Sequence, residues 1–197
     1  TQAGDLGHGS AIVYGMTMAY DYMADIGPNS QAEVHRVYHL LDELGVRLAQ
    51  RIASFGYSAR MQPNEGDVPL PALAYLAGIG ELGKHGSMIN RQFGSSFRLA
   101  CVMTDLPLVA DAPDAFGADD FCASCQVCTK VCPVDAIQPK KQTVRGEDKW
   151  YVDFDECILY FVENRGCGIC IGQCPWSRTG TAPKLAAKLI RRAEAKI

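Results

Sequence analysis

The chain has 197 residues, 48% of them hydrophobic and 21% charged, with a formal net charge of −3. That length suits one large domain or two small ones, the composition excludes a disordered chain, and so weak a charge makes no global case for nucleic acid. No run of about 18 apolar residues suggests a membrane span, and no charged leader with an apolar core precedes the first strand; thiolate-ligated metal clusters, if the nine cysteines hold them, are assembled in reducing surroundings, which favours the cytoplasm.

The segment from Ala11 to Ala19 mixes β-branched, aromatic and small residues without a helical period. It predicts a buried strand with Tyr20, Asp21 and Tyr22 at its exit. Gly27, Pro28, Asn29 and Ser30 stop the chain and offer a helix cap. Val34, Val37, Leu41, Leu44, Leu48, Ile52 and Phe55 then recur at steps of three and four, the mark of a long amphipathic helix. His35 and His39 stand one turn apart on it, opposite the apolar stripe and beside Glu43, and read as a solvated face rather than a metal pair. Beyond Gly56 the pattern predicts an extended stretch from Tyr57 to Met61, a loop from Pro63 to Asp67 and a short helix from Pro71 to Ala77.

Gly78, Gly80 and Gly83 match the dinucleotide fingerprint GxGxxG, which requires a strand before it and a helix opening at it. Here a helix precedes, and Arg98 to Met103 supplies no acidic residue at the right distance. The expectation is a loop whose backbone approaches a large ligand or another element closely, because glycine removes the Cβ that would block contact. A second strand from Phe97 to Thr104 carries Cys101 among small and apolar residues, as core filler. Residues 105–120 hold five aspartates, two prolines and no basic residue, which predicts a surface connector and a domain boundary near residue 115.

Eight of the nine cysteines fall in two runs, Cys122, Cys125, Cys128, Cys132-Pro133 and Cys157, Cys167, Cys170, Cys174-Pro175. The first is the C-x2-C-x2-C-x3-C-P spacing that holds two cubane iron-sulfur clusters between interleaved motifs, each motif lending its last cysteine to the other cluster. Cys122, Cys125, Cys128 and Cys174 are thus expected on one 4Fe-4S cluster, and Cys132, Cys157, Cys167 and Cys170 on the other. Nine residues separate Cys157 from Cys167, an insertion that a ligand loop absorbs. Disulfides belong to oxidising compartments and give the Cys-Pro punctuation no role; zinc knuckles leave the third cysteine of the first run without work. From Lys184 onward five basic residues face Glu194, with Leu185, Leu189, Ile190 and Ile197 on a helical pattern. A peripheral helix is expected there, with docking of an acidic partner as the alternative.

From Gly56-Tyr57-Ser58-Ala59-Arg60, through Gly78 to Asn90 and Thr104-Asp105-Leu106-Pro107-Leu108, to the cysteine runs ending Cys174-Pro175-Trp176, the chain resembles reductive dehalogenases. A sister family, the epoxyqueuosine reductases, shares Gly83-Lys84-His85 and the Thr104–Leu108 signature. Glu81 stands where that sister family carries tryptophan, and its Asp-Ser-Ala-Pro stretch is absent from residues 57–70, which favours the dehalogenase branch. The Cys174-Pro175-Trp176 ending and the tyrosine-bearing strand exit look like the soluble, catabolic members.

The resemblance implies an α+β fold. A nitroreductase-like corrinoid-binding α/β domain would occupy residues 1–114, a bacterial-ferredoxin-like two-cluster domain residues 115–182, and a C-terminal helix residues 183–197. It implies a corrinoid (cobalamin) bound without a protein histidine beneath cobalt, a redox partner supplying electrons, and a small halogenated organic substrate. Dehalogenation consumes two electrons and one proton, so the site needs a proton donor. Tyr22 is the candidate, with Lys84 as the cation that strengthens a phenol as an acid, Tyr20 as its replacement, and Arg145 steering an anionic or halogenated substrate. For the corrin edge the resemblance points to Gly78, Gly80, Gly83, His85, Gly86, Ser87 and Asn90. The competing functions are epoxyqueuosine reduction on tRNA and a plain two-cluster electron carrier without corrinoid.

Overall fold

A computed structural model of the chain describes residues 7–195. Strand β1 (Ser10–Thr17) and strand β5 (Phe97–Thr104) run antiparallel along their whole length, from Ser10 opposite Thr104 to Thr17 opposite Phe97, and β2 (Ala59–Gln62) pairs with the other edge of β5. The central strand is covered on both faces, so it reads as an almost unbroken apolar run, with Ala100, Cys101 and Val102 fully buried. The chain leaves β1 two residues earlier than expected and makes a single helical turn, α1 (Tyr20–Met23).

Helix α2 (Pro28–Ala53) starts with Pro28 in its first turn, where no N–H is needed, while the Ser30 hydroxyl accepts the Gly27 N–H at 3.0 Å. Val37, Leu41, Gly45 and Ile52 form its buried stripe. Leu44 and Phe55 belong to the predicted stripe but are 46% and 56% exposed. The reason lies at Gly45, where a Cβ would collide with the Tyr14 hydroxyl; that hydroxyl donates to the Leu41 carbonyl at 3.1 Å, and the helix turns this narrow face to the sheet. His35 and His39 are exposed, as a solvated face requires.

Helix α3 (Leu70–Leu76) leads into a tight knot in which β3 (Glu81–Leu82) pairs with β4 (Met88–Ile89). The cysteine-bearing half follows: α4 (Ala118–Ser124), α5 (Val127–Val131), the hairpin β6 (Gln142–Val144) and β7 (Glu147–Lys149), α6 (Phe154–Glu163), α7 (Ile169–Gly172), a 3-10 turn at Pro175–Ser177, and α8 (Ala182–Glu194). Ile197, at the end of the predicted tail pattern, lies outside the described residues.

Trp176, 1% exposed, is the hub of this half. The rings of Phe116 and Phe121 meet it edge-on at 5.5 Å, and Ala182, Ala186 and Leu189 of α8 close the same cluster. Ile89 of β4 belongs to that cluster too, so the knot and the cysteine half share one core. The predicted connector is exposed along its middle, with Val109 97% accessible, but its end is fastened. The buried Glu81 carboxylate accepts the N–H groups of Phe116 (2.9 Å), Ala118 (2.8 Å) and Asp119 (3.4 Å), and Arg91 pairs with Asp114. Glu81 thereby satisfies the orphan donors at the start of α4 from another segment. Among the described residues no helix is long and apolar enough to cross a membrane.

Candidate metal centre and its surroundings

None of the nine cysteines is in a disulfide. Their mutual electrostatic influence divides eight of them into two groups. Cys122 senses Cys174, Cys128 and Cys125, and Cys128 senses Cys174 and Cys125. In the second half Cys157 senses Cys132 and Cys167, Cys167 senses Cys132, and Cys170 senses Cys167, Cys128, Cys132 and Cys157. Each run's last cysteine stands with the other run, the crossed arrangement that interleaved cubane motifs produce. Cys170 also senses Cys128, so the two groups are adjacent. Among the described residues no three His, Cys, Asp or Glu side chains converge tightly enough for a single ion. Four cysteines to each group is the donor set a 4Fe-4S core takes.

Burial pushes the Cys122 thiol up to about 12, Cys128 to about 11 and Cys170 to about 12, and the neighbouring sulfurs add to the rise. Clustered thiolates in partly or fully buried positions need a compensating cation, which an iron core would supply. The first half of the chain contributes donors to the first cage. The Lys84 backbone N–H bonds to Cys122, and Cys174 receives the Ser95 hydroxyl together with N–H groups of Trp176 and Ser177. Ser95 is fully buried and shares a 2.8 Å hydrogen bond with Ser177.

Lys84 is 1% exposed. Its ammonium donates to the carbonyls of Cys125 (2.7 Å) and Pro139 (3.0 Å) and lies 4.8 Å from the centre of the Trp150 ring. It is committed to the first cysteine cage. Tyr22 stands elsewhere, 52% exposed on α1. That helix abuts α7, which carries Cys170: a Cβ on Gly172 would strike the Met23 carbonyl, and the Gln173 amide donates to the Ala24 carbonyl at 3.3 Å. The described hydrogen bonds of the Lys84 ammonium go to the cysteine half of the chain, and none joins it to Tyr22. The cation influenced by Tyr22 is Arg36, whose guanidinium also grips Glu33 with two 2.7 Å bonds. Tyr20, half-buried, begins the same turn. Arg145 sits at the exposed tip of the β6–β7 hairpin, where Arg145 (φ 56) and Gly146 (φ 84) make a two-residue turn.

The glycine knot meets protein. A Cβ on Gly78 would lie 2.7 Å from the Ala112 carbonyl, one on Gly80 would overlap the Ile89 carbonyl, one on Gly83 would lie 2.7 Å from the His85 ring, and one on Gly86 2.9 Å from Val152. The Asn90 amide donates to the Ile79 carbonyl at 2.6 Å, and its oxygen accepts from Gln92 and Phe93. Of the two alternatives for this loop, a large ligand or another element, these residues contact another element. The Cβ directions of the four glycines are thus taken up by protein, and the Asn90 side chain is spent within the loop. His85 differs. Burial holds its pKa down at about 4, so the ring is neutral, and its Nδ1 accepts the Ser87 N–H at 3.1 Å. The proton is then on Nε2, a buried donor without a partner.

Sequence reasoning missed Glu81, Ser95 and Arg36 as participants. Arg36 and Glu33 do carry a visible signal, opposite charges three residues apart on a helix. Beside the knot lies a cavity of about 760 Å3 between α3 and the hairpin, lined by Pro69, Tyr75, Leu82, Asp119, Lys141 and Trp150.

Residues 121–178 match the family described as a 4Fe-4S dicluster domain. A tetrachloroethene reductive dehalogenase of Desulfitobacterium hafniense is 33% identical over 165 residues, a match covering 77% of this chain and 30% of that protein. An epoxyqueuosine reductase of Leadbetterella byssophila is 36% identical over 121 residues, covering 53% of this chain and 35% of the relative. Among solved structures, the catabolic reductive dehalogenase NpRdhA in complex with 3-bromo-4-hydroxybenzoic acid superposes with a TM-score of 0.88 at 30% identity, over 96% of this chain and 29% of that one. The chain thus spans about a third of the length of these relatives.

Proposed function

Because this chain belongs to the reductive dehalogenase family, with the epoxyqueuosine reductases as sister relatives, we propose that it carries the electron path of a corrinoid-dependent reductive dehalogenase. The observation that carries this reading is the pair of crossed cysteine cages, one of them clasped by Lys84 and Ser95 from the first half. The proposed division is a nitroreductase-like corrinoid-binding domain over residues 1–114, a two-cluster domain over 115–182 and a terminal helix over 183–197, working in the cytoplasm.

In a solved relative the dehalogenation is B12-dependent. A corrinoid, when bound, supplies the cobalt at which the carbon–halogen bond is cleaved. The chain's own residues do the remaining work. The two cages conduct single electrons from a redox partner. Tyr22 gives the proton that replaces the halogen. His85 keeps one free donor, Nε2–H, for a group pressed against the knot, and Arg145 offers an exposed cation to an anionic substrate. The bromophenol seated in the solved relative makes halogenated phenols the first substrates to try.

The test is a metal count on anoxically purified, reconstituted protein, followed by assay with a corrinoid, a chemical reductant and a brominated phenol. About eight irons per chain, bound cobalt and released bromide are expected. Irons without cobalt or bromide would leave a two-cluster carrier, and turnover of epoxyqueuosine-containing tRNA would move the chain to the sister activity.

A further inference from the structure

Lys84 is a buried cation without a buried anion. At 1% exposure it makes no ion pair among the described residues, and its ammonium is held by two carbonyls and an aromatic face. Neutral dipoles soften the desolvation of a charge but do not repay it. A 4Fe-4S core held by four thiolates carries net negative charge, because the sulfurs outweigh the core. Such an anion would stand where Lys84 points: its Nζ grips the carbonyl of Cys125, its backbone N–H reaches the sulfur of Cys122, and its charge is felt at Cys128. Three of the four ligands of one cage are thus addressed by a single residue. None of the described interactions links Lys84 to a ligand of the second cage.

We infer that Lys84 is a positioning residue that sets the reduction potential of the cluster held by Cys122, Cys125, Cys128 and Cys174, favouring its reduced state. Reduction adds one electron, taken from a one-electron donor, and makes the cluster more negative; no bond forms or breaks and no proton moves. A fixed positive charge and an N–H···S bond both stabilise that extra negative charge. The cation is screened weakly there, since water is excluded. None of the described interactions sets a lysine or arginine against Cys157, Cys167 or Cys170, so the two clusters, similar in ligation, are made unequal by the knot that precedes them. This inference rests on the two-cluster reading.

The experiment uses the full chain loaded with iron and sulfide, titrated with dithionite and followed by electron paramagnetic resonance. Lys84→Gln is expected to move the midpoint of one cluster to more negative potential and leave the other in place, while Lys84→Arg stays close to the parent. A variant could lose its cluster, so unaltered protein labelled with 15N-lysine is measured alongside by nuclear-double-resonance spectroscopy. A 15N coupling on one reduced cluster, from the Lys84 N–H on Cys122, is expected. Equal shifts of both clusters, no shift in Lys84→Gln, or no 15N coupling would overturn the role of Lys84. A preparation without any cubane signal would instead overturn the two-cluster reading beneath it.

Discussion

The carboxylate of Glu81 accepts the backbone N–H of Ala118 at 2.8 Å from 37 residues away in the chain. With the Phe116 and Asp119 N–H groups on the same side chain, this one residue anchors the start of α4, which carries Cys122. Glu81→Ala leaves buried donors without acceptors, and a loss of about 3 kcal/mol is expected. Glu81→Gln keeps an acceptor oxygen and should lose less. Urea midpoints of the two variants check the order.

Crossed ligation makes a directional prediction. Cys174→Ser should alter the cluster of Cys122, Cys125 and Cys128, although Cys174 follows Cys170 in sequence; Cys132→Ser should alter the other. If Cys174→Ser and Cys170→Ser perturb the same cluster's resonance signal, the crossing is wrong.

Gly94 has φ 75 and no room for a side chain, since a Cβ would run into the Trp176 carbonyl. Gly94→Ala should cost about 3 kcal/mol or more, from strain and steric overlap together. Gly146 also has a positive φ, 84, but nothing within 4 Å, so Gly146→Ala should cost about 1 kcal/mol. Thermal midpoints of the pair separate backbone strain from collision.

His85 gives a pH dependence of definite sign. Its folded pKa is lowered from 6.5 to about 4 by burial, so between those values the unfolded chain binds the proton that the folded chain refuses. Stability from this group is full above about 6.5 and drains away as pH falls toward 4. His85→Asn should flatten that part of the acid unfolding curve. An unchanged slope over this window would exclude His85 as its source.

Tyr22→Phe should abolish halide release while cluster reduction by dithionite proceeds as before, because the phenol is proposed to move a proton and not an electron. Full turnover in Tyr22→Phe would reassign the acid, with Tyr20 next in line.

The parts of this fold that sequence made legible are those with a local cause. Strand β5 was readable from eight apolar-rich residues, α2 from its period and the Gly27–Ser30 stop, and the cages from cysteine spacing. What escaped depends on distant partners or on very short elements. β3 and β4 are two residues each, and their glycines mimic a nucleotide fingerprint because the neighbouring strand needs the same close approach that a phosphate would. The grip on the Lys84 ammonium escapes because nothing in sequence announces a carbonyl 41 or 55 residues downstream. Arg145 also completes a hairpin turn with its backbone, which a non-glycine residue does not announce in sequence.

The collision site at Gly94 bears on how such a protein can vary. Because Trp176 presents a main-chain carbonyl there rather than a side chain, no compensating replacement at position 176 can make space for a larger residue at 94. Diversification across this seam would require both backbones to shift in concert, whereas the exposed ribbon around Val109 can accept added length without disturbing either cage. Lineages should accordingly differ in the length of that ribbon and agree at the seam.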